Sequence, residues 1–176
     1  MQVCQRVYGL DISEETIKFN QEAKEVYSLN NLFLINASVT SIPLKNNSMD
    51  YVVPIGRIHH IPEAQKVVDE IYRVLKPGGV FIGMVYYRGF YRYNFYLPRL
   101  IKQNSKYHKK TRDDLVREIY DGKGNPYGIV YSKQEFRELC HRFHSFKFRR
   151  YNFVASDINE VWREIFPDKF IALALS

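Results

Sequence analysis

Cysteine is almost missing from this chain. Its two copies, Cys4 and Cys140, stand too far apart to supply a metal-ligand pair or a disulfide framework. No metal is therefore expected, and both thiols read as small buried hydrophobes of a reducing, cytoplasmic compartment. No apolar run approaches the length of a membrane span, and no charged stretch followed by an apolar one opens the chain, so a membrane is not expected among its partners. Internal repeats, low-complexity tracts and convincing linkers are also lacking. Residues 1–176 therefore read as one domain, long enough to bury a core. Acid is scarce between Arg88 and Arg117, where Asp113 and Asp114 face nine basic residues, an excess equal to the whole net charge of +7.

What is present alternates between strand and helix. Residues 6–12 form a short apolar strand ending at Asp11, and Ser13 is a natural N-cap ahead of Glu14 and Glu15. Phe19, Ala23, Val26 and Tyr27 recur at helical spacing, which predicts a helix over 14–27. Leu32 to Ile35 reads as a buried strand. A further strand runs from Asp50 to Ile55, and Pro54 should end it or cost it pairing on one side. Val67, Val68, Ile71, Val74 and Leu75 mark the buried stripe of a helix that starts near Pro62-Glu63 and stops at Lys76-Pro77-Gly78-Gly79. An apolar strand over 80–87 follows, then helical stretches over 91–104 and 111–120 and a loop at 121–126. Ser132 caps a helix carrying Phe136, Leu139, Cys140 and Phe143. Residues 145–153 and 170–175 read as an antiparallel edge hairpin. The order implies an α/β fold with a mostly parallel sheet and flanking helices.

One run is more specific than the rest. An acid, Asp50, opens an apolar strand that ends in Ile55-Gly56-Arg57, and His59-His60 follow. An amphipathic helix then stops at Lys-Pro-Gly-Gly directly before another apolar strand. With Val7-Tyr8-Gly9-Leu10-Asp11-Ile12-Ser13 ahead of it, this order resembles the class I S-adenosylmethionine-dependent methyltransferases of Rossmann-like fold, specifically the type 11 group. The resemblance covers residues 6–85 and reaches the remainder only loosely. It implies S-adenosylmethionine as cofactor. It also implies that the family's first strand and glycine-rich turn would precede Met1, so the domain reads as N-terminally incomplete and truncated.

The resemblance assigns cofactor contacts to Asp11, Ile12, Ser38, Val39, Ile55 and Gly56. A carboxylate at a strand's carboxyl end can accept both cis hydroxyls of a ribose, which suits Asp11. Taken alone, an Asp before an N-cap Ser serves equally to start a helix. Ser38 stands where the family usually has an Asp that receives the adenine amino group, and a hydroxyl accepts that bond more weakly. His59 and His60 are candidate proton acceptors, because imidazole titrates near neutrality; the plainer alternative is that the pair shapes the entry to the next helix.

Residues 86–131 read as an inserted segment that caps the substrate. Arg57, Tyr87, Tyr127 and Tyr131 are its candidate acceptor contacts, suited to a flat or partly apolar small molecule. Basic residues interleaved with aromatics can instead grip nucleic acid, but no recognised nucleic-acid motif accompanies them. Methyl transfer to a small molecule is thus the leading function. A cofactor-deficient binding or regulatory module and an RNA-directed methyltransferase are the alternatives. Without the upstream turn the chain is expected to bind its cofactor feebly, with each lost charge-assisted hydrogen bond costing about 1–3 kcal/mol.

Overall fold

The computed structural model describes residues 4–90, 92–121 and 127–149. They form two compact units, one of residues 4–42 with Arg149 and one of Pro43–Phe148.

In the first unit, β1 (Val7–Asp11) and β2 (Leu32–Asn36) pair in parallel, in register from Val7↔Leu32 to Asp11↔Asn36. Parallel neighbours need a crossover, and α1 (Glu14–Val26) supplies it. Ser13 caps α1 as expected, its Oγ accepting from the Thr16 N–H at 3.2 Å. The Asn31 side chain anchors the chain ahead of β1 by donating to the Cys4 carbonyl at 2.9 Å. Tyr8 and Phe33 stack across the ladder at 5.5 Å. No residue of α1 is fully buried.

In the second unit, β3 (Met49–Val52) pairs in parallel with β4 (Leu75–Phe81), and α2 (Ala64–Val74) connects them. Val67, Val68, Ile71 and Val74 of α2 are buried with Ile58 and Leu75, the stripe that the spacing predicts. Arg73 secures the approach to β3. Its guanidinium donates to both Glu70 oxygens at 2.7 Å, to the Leu44 carbonyl at 2.8 Å and to Asn46 at 2.7 Å.

Lys76-Pro77-Gly78-Gly79 departs from the sequence expectation. It is not a turn ahead of a strand over 80–87; β4 already begins at Leu75 and passes through it as a bulge. Between Met49↔Leu75 and Tyr51↔Val80 the chain takes two steps on β3 and five on β4. A bulged residue owes no donor to the ladder, so Pro77 is tolerated, and Gly78 takes the positive φ of +79° that the bulge needs. Lys76 Nζ closes it on Asp50 at 2.8 Å. The paired register ends at Val52 and Phe81; the Ile82 N–H still donates to the Val52 carbonyl at 3.0 Å and the single bridge Ile55↔Met84 follows, while Tyr87 bridges instead to Tyr131. Pro54 explains the break, because it can donate to neither neighbour.

Beyond β4 come a π-helical turn (Arg92–Tyr96), α3 (Leu97–Gln103), α4 (Arg112–Asp121) and α5 (Lys133–Leu139). Leu97, Leu115, Val116 and Val130 form a core here, and Tyr86, Tyr93, Leu100, Ile101 and Tyr107 pack against it. Ser132 and Glu135 make a reciprocal capping box at the start of α5. Residues 145–149 form no strand; the rest of the expected edge hairpin lies outside the described residues. Among the described residues no helix is long and apolar enough to cross a membrane, and no group of side chains could hold a metal ion.

Candidate functional site

In the first unit, the carboxyl ends of β1 and β2 lie side by side because Asp11 pairs with Asn36. Asp11 Oδ1 accepts the Ser13 N–H at 2.8 Å, so the carboxylate does help to start α1. Its other oxygen makes no hydrogen bond among the described residues. Asn36, which sequence reasoning missed, clamps this end: its Nδ2 donates to the carbonyls of Asp11 at 3.1 Å and Ile12 at 3.0 Å. A short amide at a strand end carries no distinctive sequence signal. Ile12 is 75% exposed. Ser38 spends its hydroxyl within its own turn, bonded to Thr40 Oγ1 at 2.7 Å and accepting the Thr40 N–H at 3.2 Å. The Val39 amide donates to no acceptor among the described residues.

This end therefore fits the adenosine half of S-adenosylmethionine. A carboxylate oxygen is open for ribose hydroxyls, an exposed isoleucine can cover a flat base, and a backbone donor is open for a ring nitrogen. Ser38 fits least well, since its turn already uses the hydroxyl.

In the second unit, Ile55 forms its bridge to Met84 and the chain turns at Gly56 with φ of +70°, which favours glycine. Arg57 is exposed. A short 3₁₀ turn (Ile58–His60) then separates the paired histidines sharply. His59 is 1% exposed, and neither ring nitrogen makes a hydrogen bond of good geometry. Its ring lies 4.0 Å from those of both His60 and Tyr86. Burial first, and then the charge of His60, push its pKa down from 6.5 to about 4, while Asp121 and the Met84 carbonyl pull weakly the other way. So enclosed and so weakly basic, His59 is poorly placed to take a proton from a substrate.

His60 stands differently. Its Nδ1 lies 3.0 Å from the Tyr127 carbonyl and its Nε2 lies 3.7 Å from Asp121 Oδ2. Tyr86 donates its hydroxyl to the other oxygen of Asp121. The Ile129 N–H, donating to the His59 carbonyl at 2.9 Å, draws the 127–131 segment against this turn. The structure thus joins His60 to Tyr127, as two of the candidates, and adds Asp121 and Tyr86. In the sequence Asp121 passes for the first residue of a polar loop, and Tyr86 for one aromatic among many. Tyr131 is 9% exposed and its ring packs on Phe136 at 5.8 Å, so its side chain belongs to the core. Tyr87 is exposed. Cys140 is buried, which pushes its thiol up to about 12 and leaves it inert.

Much of the basic excess is spent internally. Arg88 reaches Glu135 and the Val130 carbonyl, each at 2.9 Å, and lies over Tyr93 at 5.1 Å. Lys110 pairs with Glu118 and Arg117 with Asp114. Arg112 donates to Asn94 and also lies over Tyr93.

Several known proteins resemble this chain in sequence or fold. Residues 1–83 match the methyltransferase domain family. Over 75 residues the chain is 36% identical to the demethylmenaquinone methyltransferase of Geobacillus stearothermophilus, covering 43% of this chain and 32% of that protein. Over 114 residues it is 30% identical to the enzyme of the same name from Oceanobacillus iheyensis, covering 60% of this chain and 48% of that one. The chain thus spans about a third to a half of the length of the curated relatives it matches. A crystal structure from Bacillus halodurans, provisionally described as a methyltransferase, superposes with a TM-score of 0.55 at 16% identity, over 78% of this chain and 52% of that one. That likeness is one of fold. Over residues 1–83 the chain is similar to the methyltransferase domain family, and together with the relatives this supports a class I S-adenosylmethionine-dependent methyltransferase.

Proposed function

We propose that the chain is part of a methyltransferase that moves the methyl group of S-adenosylmethionine to a small, flat, partly apolar acceptor. The observation that carries the reading is Asp11, placed at the carboxyl end of a parallel strand with one oxygen held by Ser13 and the other open. When bound, the cofactor supplies an electrophilic methyl group, so the protein's work is positioning and the exclusion of water. Asp11 holds the ribose hydroxyls, Ile12 covers the base and the Val39 amide meets a ring nitrogen. Gly56 lets backbone approach the acceptor side closely. His60, oriented by the Tyr127 carbonyl and Asp121, is the candidate to take an acceptor proton. Residues 86–131 serve as the acceptor's cap. Their aromatic content suits a ring compound, and demethylmenaquinone, named in the relatives, is the first acceptor to test.

The direct test is saturation-transfer NMR of S-adenosylmethionine with the full chain, which reads weak binding. Saturation of the ribose protons is expected, and Asp11→Asn should reduce it at least tenfold, about the loss of one charge-assisted hydrogen bond. The asparagine oxygen can still accept from Ser13, so the fold should persist. Equal saturation in both proteins would overturn the assignment of Asp11.

A further inference from the structure

The π-helical turn and α3 turn their buried side, Tyr93, Leu97, Leu100 and Ile101, onto the second core. Their other side is unlike an ordinary solvated face. Phe95 is 56% exposed and Tyr96 51%, and Phe90, 72% exposed, packs edge-to-face on Phe95 at 5.7 Å. Exposed aromatic clusters of this kind mark contact surfaces. Directly after them on the same side come the exposed Arg99 and Lys102, followed by the exposed Lys106 and Lys109. From Arg88 to Lys110 the sequence contains no acidic residue at all.

These four cations differ from the others of the segment. Arg88, Lys110, Arg112 and Arg117 are held by partners on the protein. The side chains of Arg99, Lys102 and Lys109 make no hydrogen bond or ion pair among the described residues, and that of Lys106 only lies over the Tyr107 ring at 5.3 Å. Asp113 and Asp114, the nearest acids, are occupied by Tyr93 and by Thr111 with Arg117. The face therefore combines an apolar aromatic tip with an uncompensated row of positive charge. Its partner must be apolar and anionic together.

We propose that the face carrying Phe90, Phe95, Tyr96, Arg99 and Lys102 docks on the surface of an anionic lipid bilayer. The rings enter the boundary between headgroups and acyl chains, and the cations pair with lipid phosphates. No spanning helix is needed for such adsorption. Nucleic acid fits less well. Phe90 and Phe95 meet edge to face rather than lying as parallel plates, so one ring face is spent on its neighbour instead of stacking a base.

The test is co-sedimentation of the full chain with vesicles of phosphatidylcholine alone or mixed with phosphatidylglycerol, without cofactor or acceptor, so its result is independent of the methyl-transfer reading. Binding is expected only to the mixed vesicles, weakening as salt is raised. R99E/K102E should weaken it more than tenfold, at about fivefold for each lost cation and more for the reversed charge. F90S/F95S should weaken it comparably, whereas the charge-keeping R99K/K102R should bind as the parent does. All four side chains are exposed, and circular dichroism would verify that each variant folds. No sedimentation of the parent, equal binding by all variants, or displacement from vesicles by an RNA homopolymer would each overturn the proposal, the last in favour of nucleic acid.

Discussion

Replacing His59 with Phe should stabilise the protein in acid while leaving its fold unchanged. The fold favours the neutral ring, because burial and the neighbouring His60 lower the pKa from 6.5 to about 4. In the unfolded chain His59 takes up a proton near pH 6.5, which the folded chain refuses until about pH 4. Stability is therefore present in full above pH 6.5 and drains away as the pH falls towards 4; below that both states hold the proton and the loss stops. At about 1.4 kcal/mol per tenfold change in proton affinity, the loss is of the order of 3 kcal/mol. Phenylalanine has no proton to gain. It also removes two buried nitrogens that make no well-formed hydrogen bond, a gain of up to about 1–3 kcal/mol at every pH, less the contact with the Met84 carbonyl and any misfit of the larger ring. The measurement is the urea midpoint of both proteins from pH 8 to pH 4 at constant ionic strength. Every other ionisable side chain is present in both proteins, so the difference between the curves reports the loss of His59 and of its coupling to His60. Two curves that run parallel through this range would refute the reasoning, since the buried ring would then not be held neutral by the fold.

Three further outcomes follow from local geometry. A Cβ at Gly79 would stand 2.9 Å from the Lys76 carbonyl oxygen and 3.2 Å from that of Asp50. Gly79→Ala should thus cost about 2 kcal/mol or more in urea unfolding, and a cost under half that would show that the bulge yields. At Gly78 the φ is +79° with open space around it, so Gly78→Ala should cost only the left-handed penalty of about 1–2 kcal/mol, read from the same experiment. Ser132→Ala removes half of the capping box and should lower stability by about 1 kcal/mol, with amide exchange accelerated at the first turn of α5; unchanged exchange there would count against it.

Much of the first eighty residues was legible because the decisive signals are local. Ser13 caps its helix through a neighbour three residues away, Pro54 interrupts a ladder by its own chemistry, and the stripe from Val67 to Leu75 is a matter of helical period. Lys76-Pro77-Gly78-Gly79 misled because proline and glycine punctuate turns and bulges alike, and only the partner strand decides which. The same limit hid the division of labour in His59-His60. Nothing in the pair distinguishes the residues, yet one is sealed under Tyr86 and the other faces Asp121 from the far end of α4. Segment 86–131 was legible as composition but not as arrangement. Its nine cations look equivalent in sequence, and the acids that divide bound from unbound ones, Glu118 and Glu135 among them, are recognisable only once the chain is folded.

The bulge in β4 has a consequence for how this sequence can drift in length. Leu75 and Val80 lie opposite Met49 and Tyr51, two positions on one face of β3, yet stand five residues apart, so strict alternation is suspended across Lys76-Pro77-Gly78-Gly79. Pairing resumes at Val80, and with it Phe81 turns to the side where Phe143 and Phe136 receive it, at 5.4 and 6.5 Å, while Val80 stays exposed at 43%. Changes of length inside the bulge should therefore be absorbed there, whereas one residue inserted between Val80 and Phe81 would carry the phenyl ring to the opposite face, away from α5. The stretch works as a slack loop in a chain whose next link must still meet its tooth.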